Sequence, residues 1–317
     1  MNRDNVNMGK PNLETFAETI AELAQYDPGL LVVASDSRGS GKLTSFASRM
    51  PDRIVEVGIA EQNLVGVASG LAAAGKTVFA VSPASFLATR SLEQIKHDIC
   101  YSDRPANLIG ISAGVSYGAL GSTHHSLHDF AALRAIHGIT IVAPGDNWET
   151  RMAVRAAATH DGPVYIRFGK KPLPDLPKSD CLVFGKGRVV HQGDDGAIIA
   201  TGETVWRAVE AARSLISDGI HIAVISMHTI KPLDEELVCK VGGTVRAMLV
   251  TEEHSEYGGL GEACAHVLLE NGHSPKFRIV AIPDEYTVTG SQEEILNHYG
   301  ICSAGLIESM TTLLEGA

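Results

Sequence analysis

Clustered positive charge is missing from this chain. Among its 317 residues, 37 Asp and Glu outnumber 26 Lys and Arg, for a formal net charge of −11. Phosphate neutralisation needs grouped Lys and Arg, so nucleic acid is excluded as a partner. Long apolar runs are missing as well. Nothing approaches the ~18 residues of a membrane span, and the opening MNRDNVNMGKPN holds no apolar core of signal-peptide length, so no membrane association and a cytoplasmic location are expected. The five cysteines, Cys100, Cys181, Cys239, Cys264 and Cys302, are scattered without a C-x-x-C pair and read as reduced thiols. Aromatic residues make up only 5% of the chain.

What is present is an apolar fraction of 44% with 32 glycines. That balance fits an Ala/Val/Ile-rich α/β protein with tight strand-to-helix turns better than an all-β sandwich. The length suits two domains of ordinary size, each expected to bury its own core.

Periodicity supports this. Leu13, Phe16, Ala17, Ile20, Leu23 and Ala24 recur at helical spacing, which predicts a helix over 13–25. LLVVAS (30–35) reads as a buried strand, and 53–57 as a short strand leading into a helix from Glu61 to about Ala74. Strands at 77–81, 107–112, 139–143 and PVYIRF alternate with helices at 85–101, 127–136 and one opening at Asp146, where Glu149 completes a capping-box pattern. KKPLPDLPKSD has three prolines and no periodicity, so 171–184 is expected to link a domain at 1–170 to one at 185–317. In the second domain strands are expected at 196–200, 221–226, 246–252 and 277–282, with helices at 204–217, 261–270 and the C-terminus. The expectation is two doubly wound α/β domains with mainly parallel sheets.

Glu61 stands where a strand gives way to a helix rich in small residues. An acid there ordinarily favours the helix macrodipole. The same placement allows a carboxyl to be buried against a flat heterocycle and to exchange a proton with it. By residue type alone, Asp36 reads as a turn residue, Ser40 as a loop hydroxyl and Phe86 as core. Lys170 and Lys171 read as a surface pair. His124 and His128 have spacing for a shared metal, but no third ligand is near, so no metal site is expected.

The segments VGIAEQNLVGVASGLAAAG, QIKHDI, GVSYGALGSTHHS, GPVYIRFGKKPLP, TIKPLD and TEEHSEYGGLGEA occur in one order. Together they make the chain resemble, over nearly its whole length, the C-terminal half of transketolase and of its relative 1-deoxyxylulose-5-phosphate synthase. The resemblance implies a thiamin-diphosphate-binding pyrimidine domain followed by a transketolase C-terminal domain. It places Glu61 on the family's cofactor-activating glutamate, which bonds a ring nitrogen of the aminopyrimidine and promotes proton removal from the thiazolium carbon. It puts Asp36 near the cofactor, Phe86 against the pyrimidine ring and His124 on the sugar. Ser40 and Lys170 become candidate contacts to substrate phosphate.

Three departures stand out. The family's GEDG loop appears as GALG, with Ala119 and Leu120 in place of the acidic pair. A family histidine appears as Ser112, and one of two pyrimidine-stacking aromatics is replaced by Pro83. Losing a hydrogen-bonding acid disfavours a substrate that keeps the matching hydroxyl. The Gly-Asp-Gly motif and following Asn that hold diphosphate through Mg2+ are also missing; Gly145-Asp146-Asn147 and Gly193-Asp194-Asp195-Gly196 lack the right form. The resemblance therefore implies a split enzyme, in which an N-terminal transketolase subunit carries the Mg2+ ligands in an α2β2 assembly. Such an enzyme moves a two-carbon ketol unit between sugar phosphates. Apulose 4-phosphate is the leading specialised donor, with glyceraldehyde 3-phosphate as acceptor. A 2-oxoacid dehydrogenase β-type subunit and a non-catalytic scaffold subunit remain open as alternatives.

Overall fold

Short runs of Val, Ile, Leu and Ala form strands that are buried along their length, because helices cover both faces of the sheets. The structure is a computed structural model and describes residues 7–316. Its first half runs β1 (Met8–Pro11), α1 (Asn12–Tyr26), β2 (Leu31–Ala34), α2 (Thr44–Arg49), β3 (Ile54–Glu56), α3 (Glu61–Ala73), β4 (Val78–Pro83), α4 (Ala84–Arg90) and α5 (Leu92–Gln94). It continues with β5 (Ala106–Ile111), α6 (Asp129–Arg134), β6 (Thr140–Val142), α7 (Asn147–Ala157), β7 (Val164–Phe168) and β8 (Pro172–Pro174). The second half holds β9 (Arg188–His191), β10 (Gly196–Ala200), α8 (Val205–Leu215), β11 (Ile222–Ser226), β12 (Thr229–Lys231) and α9 (Glu235–Gly242). β13 (Ala247–Ser255), α10 (Leu260–Glu270), β14 (Lys276–Ile282), α11 (Gln292–His298) and α12 (Ser303–Glu315) complete it.

Two larger sheets result. One has seven strands in the order β12-β6-β7-β5-β4-β2-β3, the other five in the order β14-β13-β10-β11-β9. Both are parallel apart from β12 and β9, which run antiparallel to their neighbours. In the first sheet the chain turns one way from β2 to β3 and the other way to β4. The loops after β2 and β4 therefore diverge at the carboxyl ends of the strands, where α/β sheets place their ligands. Just past β2, Ser35 joins Ser82 near the end of β4 through a 2.7 Å hydroxyl–hydroxyl bond.

The structure corrects several expectations. The helix expected over 85–101 breaks at Ser91, whose hydroxyl donates to the Leu87 carbonyl at 2.6 Å and so competes with the helix ladder. Beyond α5 the chain winds into a wider π-helical turn, Ile95–Tyr101. The expected linker contains β8, paired antiparallel with β1. The helix predicted over 127–136 spans only Asp129–Arg134. At α7 only half of the capping box forms: Asp146 accepts from the Glu149 N–H at 2.7 Å, while the Glu149 carboxylate accepts from Gly145 N–H.

The halves are not self-contained. β12 comes from the second half and extends the sheet of the first. One apolar cluster runs from Val33 and Leu108 to Ile199, Ile225 and Val250. Buried charge crosses the same seam. Arg167 on β7 donates to Asp129 at 2.7 Å and to the Glu253 carbonyl at 2.7 Å, and lies 3.9 Å over the Phe130 ring. Tyr165 donates to the other Asp129 oxygen at 2.7 Å. Gly110 makes room for that ring, since a Cβ there would lie 2.3 Å from the Tyr165 hydroxyl. Burial pushes the Asp129 carboxyl up, but Arg167 and the other donors outweigh it and hold it below the ordinary carboxylate value.

Glu203 and Glu253 face the same seam, bridged by Gln292 Nε2 at 3.0 and 3.1 Å. The second Glu203 oxygen has no partner. Burial, then the charge of Glu253, raises the Glu203 carboxyl to about 8.

Two outcomes follow from the seam. Arg167→Met leaves Asp129 buried without its cation and is expected to cost about 3–5 kcal/mol in denaturant unfolding; a loss below about 1 kcal/mol would contradict the tie. Glu203 has a folded-state value above its ordinary 4.5, so its stability contribution is full below about pH 4.5 and lost as pH rises through about 8. Glu203→Gln should therefore flatten the fall in melting temperature over that window, and parallel curves for the two proteins would refute the assignment.

Candidate active site

Glu61 opens α3, yet it does not cap that helix: the N-terminus has no side-chain cap bond. Its carboxylate is 3% exposed and turns toward α4, where Arg90 Nη1 lies 3.3 and 3.2 Å from its two oxygens. One helical turn back, Phe86 lies under the same guanidinium, 4.4 Å from ring centroid to Cζ. His124 meets the Phe86 ring edge-on at 5.4 Å, and Tyr117 meets His124 edge-on at 5.4 Å. Lys170 Nζ sits 3.8 Å over the Tyr117 ring, and burial lowers its ammonium below the ordinary lysine value. Glu61, Arg90, Phe86, His124, Tyr117 and Lys170 thus form one continuous line of contacts.

The fold brings four predicted residues together: Glu61, Phe86, His124 and Lys170. Asp36 and Ser40 stand apart on the loop after β2, at the crevice where the sheet changes direction. Asp36 is exposed and in the left-handed region, φ 51°, with its N–H donating to Glu56 at 2.6 Å. Ser40 donates to the Ser37 carbonyl at 3.2 Å. Neither is bonded to the Glu61 line. Arg90 and Tyr117 were not singled out in the sequence. The spacing of Phe86 and Arg90, four residues apart on one helix face, was the available signal for the first.

The loop carrying His124 is pinned from the second half. His125 is buried between Thr287 Oγ1 at 2.9 Å and the Gly118 carbonyl at 3.0 Å, and burial lowers its basicity. Ser122 and Thr287 exchange two 3.0 Å bonds. Gly114, at φ 59°, lies against the Glu253 carboxyl, which a Cβ would meet at 2.3 Å; Val115 N–H donates to the same carboxyl at 2.8 Å. Ala119 and Leu120 remain exposed, Leu120 at 58%, so the loop presents methyl groups rather than acids.

The residues present suit an aminopyrimidine: a buried carboxylate and a partly open aromatic ring flank the same planar guanidinium. Among the described residues, no three His, Cys, Asp or Glu side chains are grouped to hold a metal ion. Asp146 is occupied as the cap of α7 and as acceptor from Leu176 N–H at 2.9 Å, and Asp195 accepts from His221 N–H at 2.8 Å. Among the described residues, no helix is long and apolar enough to cross a membrane.

Comparison with known proteins identifies the family. Residues 11–175 match the family model of the transketolase pyrimidine binding domain, and residues 185–306 that of the transketolase C-terminal domain. The chain belongs to the transketolase family. Its members depend on thiamin diphosphate and are transferases. The chain is 43% identical to an apulose-4-phosphate transketolase subunit of Phocaeicola vulgatus, over 93% of this chain and 95% of that protein. It is 36% identical to 1-deoxy-D-xylulose-5-phosphate synthase 1 of Geobacter metallireducens, covering 95% of this chain but 48% of the synthase. Among solved structures it superposes on a split gene transketolase described as an inactive beta4 tetramer, with a TM-score of 0.86 and 34% identity, over 96% of this chain and 98% of that one.

In this transketolase-family chain, Thr287 ties the His124 loop to the second half in addition to the bonds from its own half. Thr287→Val keeps the shape and leaves His125 Nδ1 without its partner. We expect a loss of about 1–3 kcal/mol and faster amide exchange confined to 118–126. Unchanged exchange in that loop would show that Thr287 does not hold it.

Proposed function

We propose that this chain is the second subunit of a two-chain, thiamin-diphosphate-dependent transketolase that moves a two-carbon ketol unit between sugar phosphates. The observation that carries this reading is Glu61, a carboxylate 3% exposed that shares the Arg90 guanidinium with the Phe86 ring, which His124 meets edge-on. The match to a separate transketolase subunit over nearly its full length supports a two-chain enzyme, as does the likeness to a split gene transketolase. An N-terminal subunit would supply the diphosphate domain and the Mg2+ ligands, in an α2β2 assembly.

When bound, the cofactor supplies a carbon nucleophile that accepts and releases the ketol unit. Glu61 holds a proton at the pyrimidine ring nitrogen, and its burial keeps water from competing for that bond. Phe86 fixes the plane of the ring, while Asp36, on the separate loop after β2, is the candidate cofactor contact from the crevice. His124 is placed to bond a sugar hydroxyl and to move a proton there. Lys170, held over Tyr117, and Ser40 are the candidate contacts for substrate phosphate. The methyl groups of Ala119 and Leu120 suit a donor lacking the hydroxyl that an acidic pair binds, and we assign apulose 4-phosphate as donor with glyceraldehyde 3-phosphate as acceptor.

The test is transfer by the chain co-expressed with its partner subunit. Glu61→Gln is expected to lower turnover on the order of 10²–10⁴-fold while the complex still assembles. Full activity in that variant would make the chain a scaffold, and carbon dioxide release from pyruvate would make it a 2-oxoacid dehydrogenase subunit.

A further inference from the structure

Arg90 holds Glu61 loosely. The other fully buried carboxylate that pairs with an arginine near this site, Asp129, meets it closely, at 2.7 Å. At Glu61 a single nitrogen spans both oxygens at 3.2 and 3.3 Å, longer than charge-assisted bonds usually run. The guanidinium has no further hydrogen-bond partner among the described residues, and the Arg90 side chain is 50% exposed. Its Cζ lies over the Phe86 ring, 4.4 Å from the centroid.

A planar, hydrogen-bonding group stacked on Phe86 and bonded to the Glu61 carboxylate describes Arg90 here. It equally describes the aminopyrimidine assigned above, and both cannot hold those two partners at once. We propose that Arg90 is a displaceable plug: it occupies the pyrimidine seat while the cofactor is absent and swings into water when the cofactor arrives. This inference rests on the role of Glu61 given under the proposed function.

The physical reason is the cost of an unpaired charge. A carboxylate held out of water without a partner is expensive, and this one is in place before any cofactor binds. Arg90 meets that need at a position from which it can leave. Its other side already faces solvent, and its contacts are few and long. The plug is a positioning residue that acts through Glu61.

The two-chain complex tests this with thiamin diphosphate and Mg2+ as the probe, by titration calorimetry and by melting with and without cofactor. Arg90→Ala should lower the melting temperature of the cofactor-free complex and leave that of the loaded complex unchanged. It should also tighten cofactor binding by about tenfold, the combined size of one long, half-exposed ion pair and one cation–π contact. Arg90→Lys, which keeps the charge but not the plane, should fall between. Weaker binding by Arg90→Ala, with a lowered melting temperature of the loaded complex, would make Arg90 a cofactor contact instead; unchanged affinity would equally overturn the plug. Either result leaves the proposed function standing. Failure of the wild-type complex to bind the cofactor would remove both.

Discussion

The site depends on one buried ion pair, Arg167 with Asp129. Arg167 belongs to a strand in the middle of the seven-stranded sheet, and from there it reaches the start of α6 and the backbone of β13. It also donates to the carbonyl of Ser126 at 3.4 Å, at the end of the loop that carries His124. Its plane rests on Phe130, whose other neighbour is the stacked ring of His254 at 5.0 Å. A single cation thus ties sheet, helix, loop and second half together. Burying it is tolerable only because every neighbour is an acceptor or a ring face.

The same logic explains why acids line the seam. Glu252 accepts the first N–H groups of α10 from Leu260 and Gly261, both at 2.8 Å, and burial still lifts its carboxyl to about 7. Glu253 takes the loop N–H of Val115 and the amide of Gln292. Glu149 joins Ser226 at 2.8 Å and the guanidinium of Arg188. The bonds of Glu253 to Val115 and of Glu149 to Ser226 and Arg188 cross between the halves and are directional, so they set how the halves face each other, whereas the apolar cluster beside them supplies adhesion without geometry.

Much of the architecture was legible along the chain. Continuous apolar runs such as LLVVAS and PVYIRF can be satisfied only inside a covered parallel sheet, and they became β2 and β7. The helix from Glu61 was visible from its small residues and preceding strand. The short strands β1, β8, β9 and β12 were not: they lie at sheet edges or in a separate two-stranded pair, so they lack the continuous apolar run of a covered strand and form only where a distant edge is offered. The break at Ser91 was hidden for a related reason: a serine inside an otherwise helical pattern shows its back-bond only in three dimensions.

For the site, sequence determined the kinds of group available and the family to which they belong: an acid at a strand-to-helix junction, an aromatic opening a helix, a histidine in a glycine-rich loop. Those features are local, so they survive being read in one dimension. Tertiary structure decided which of them meet. It joined Glu61, Phe86, His124 and Lys170, left Asp36 and Ser40 on a separate loop, and added Arg90 and Tyr117. Contact across sheets and between halves is a matter of packing and buried charge, and neither is written in the spacing of residues along a chain.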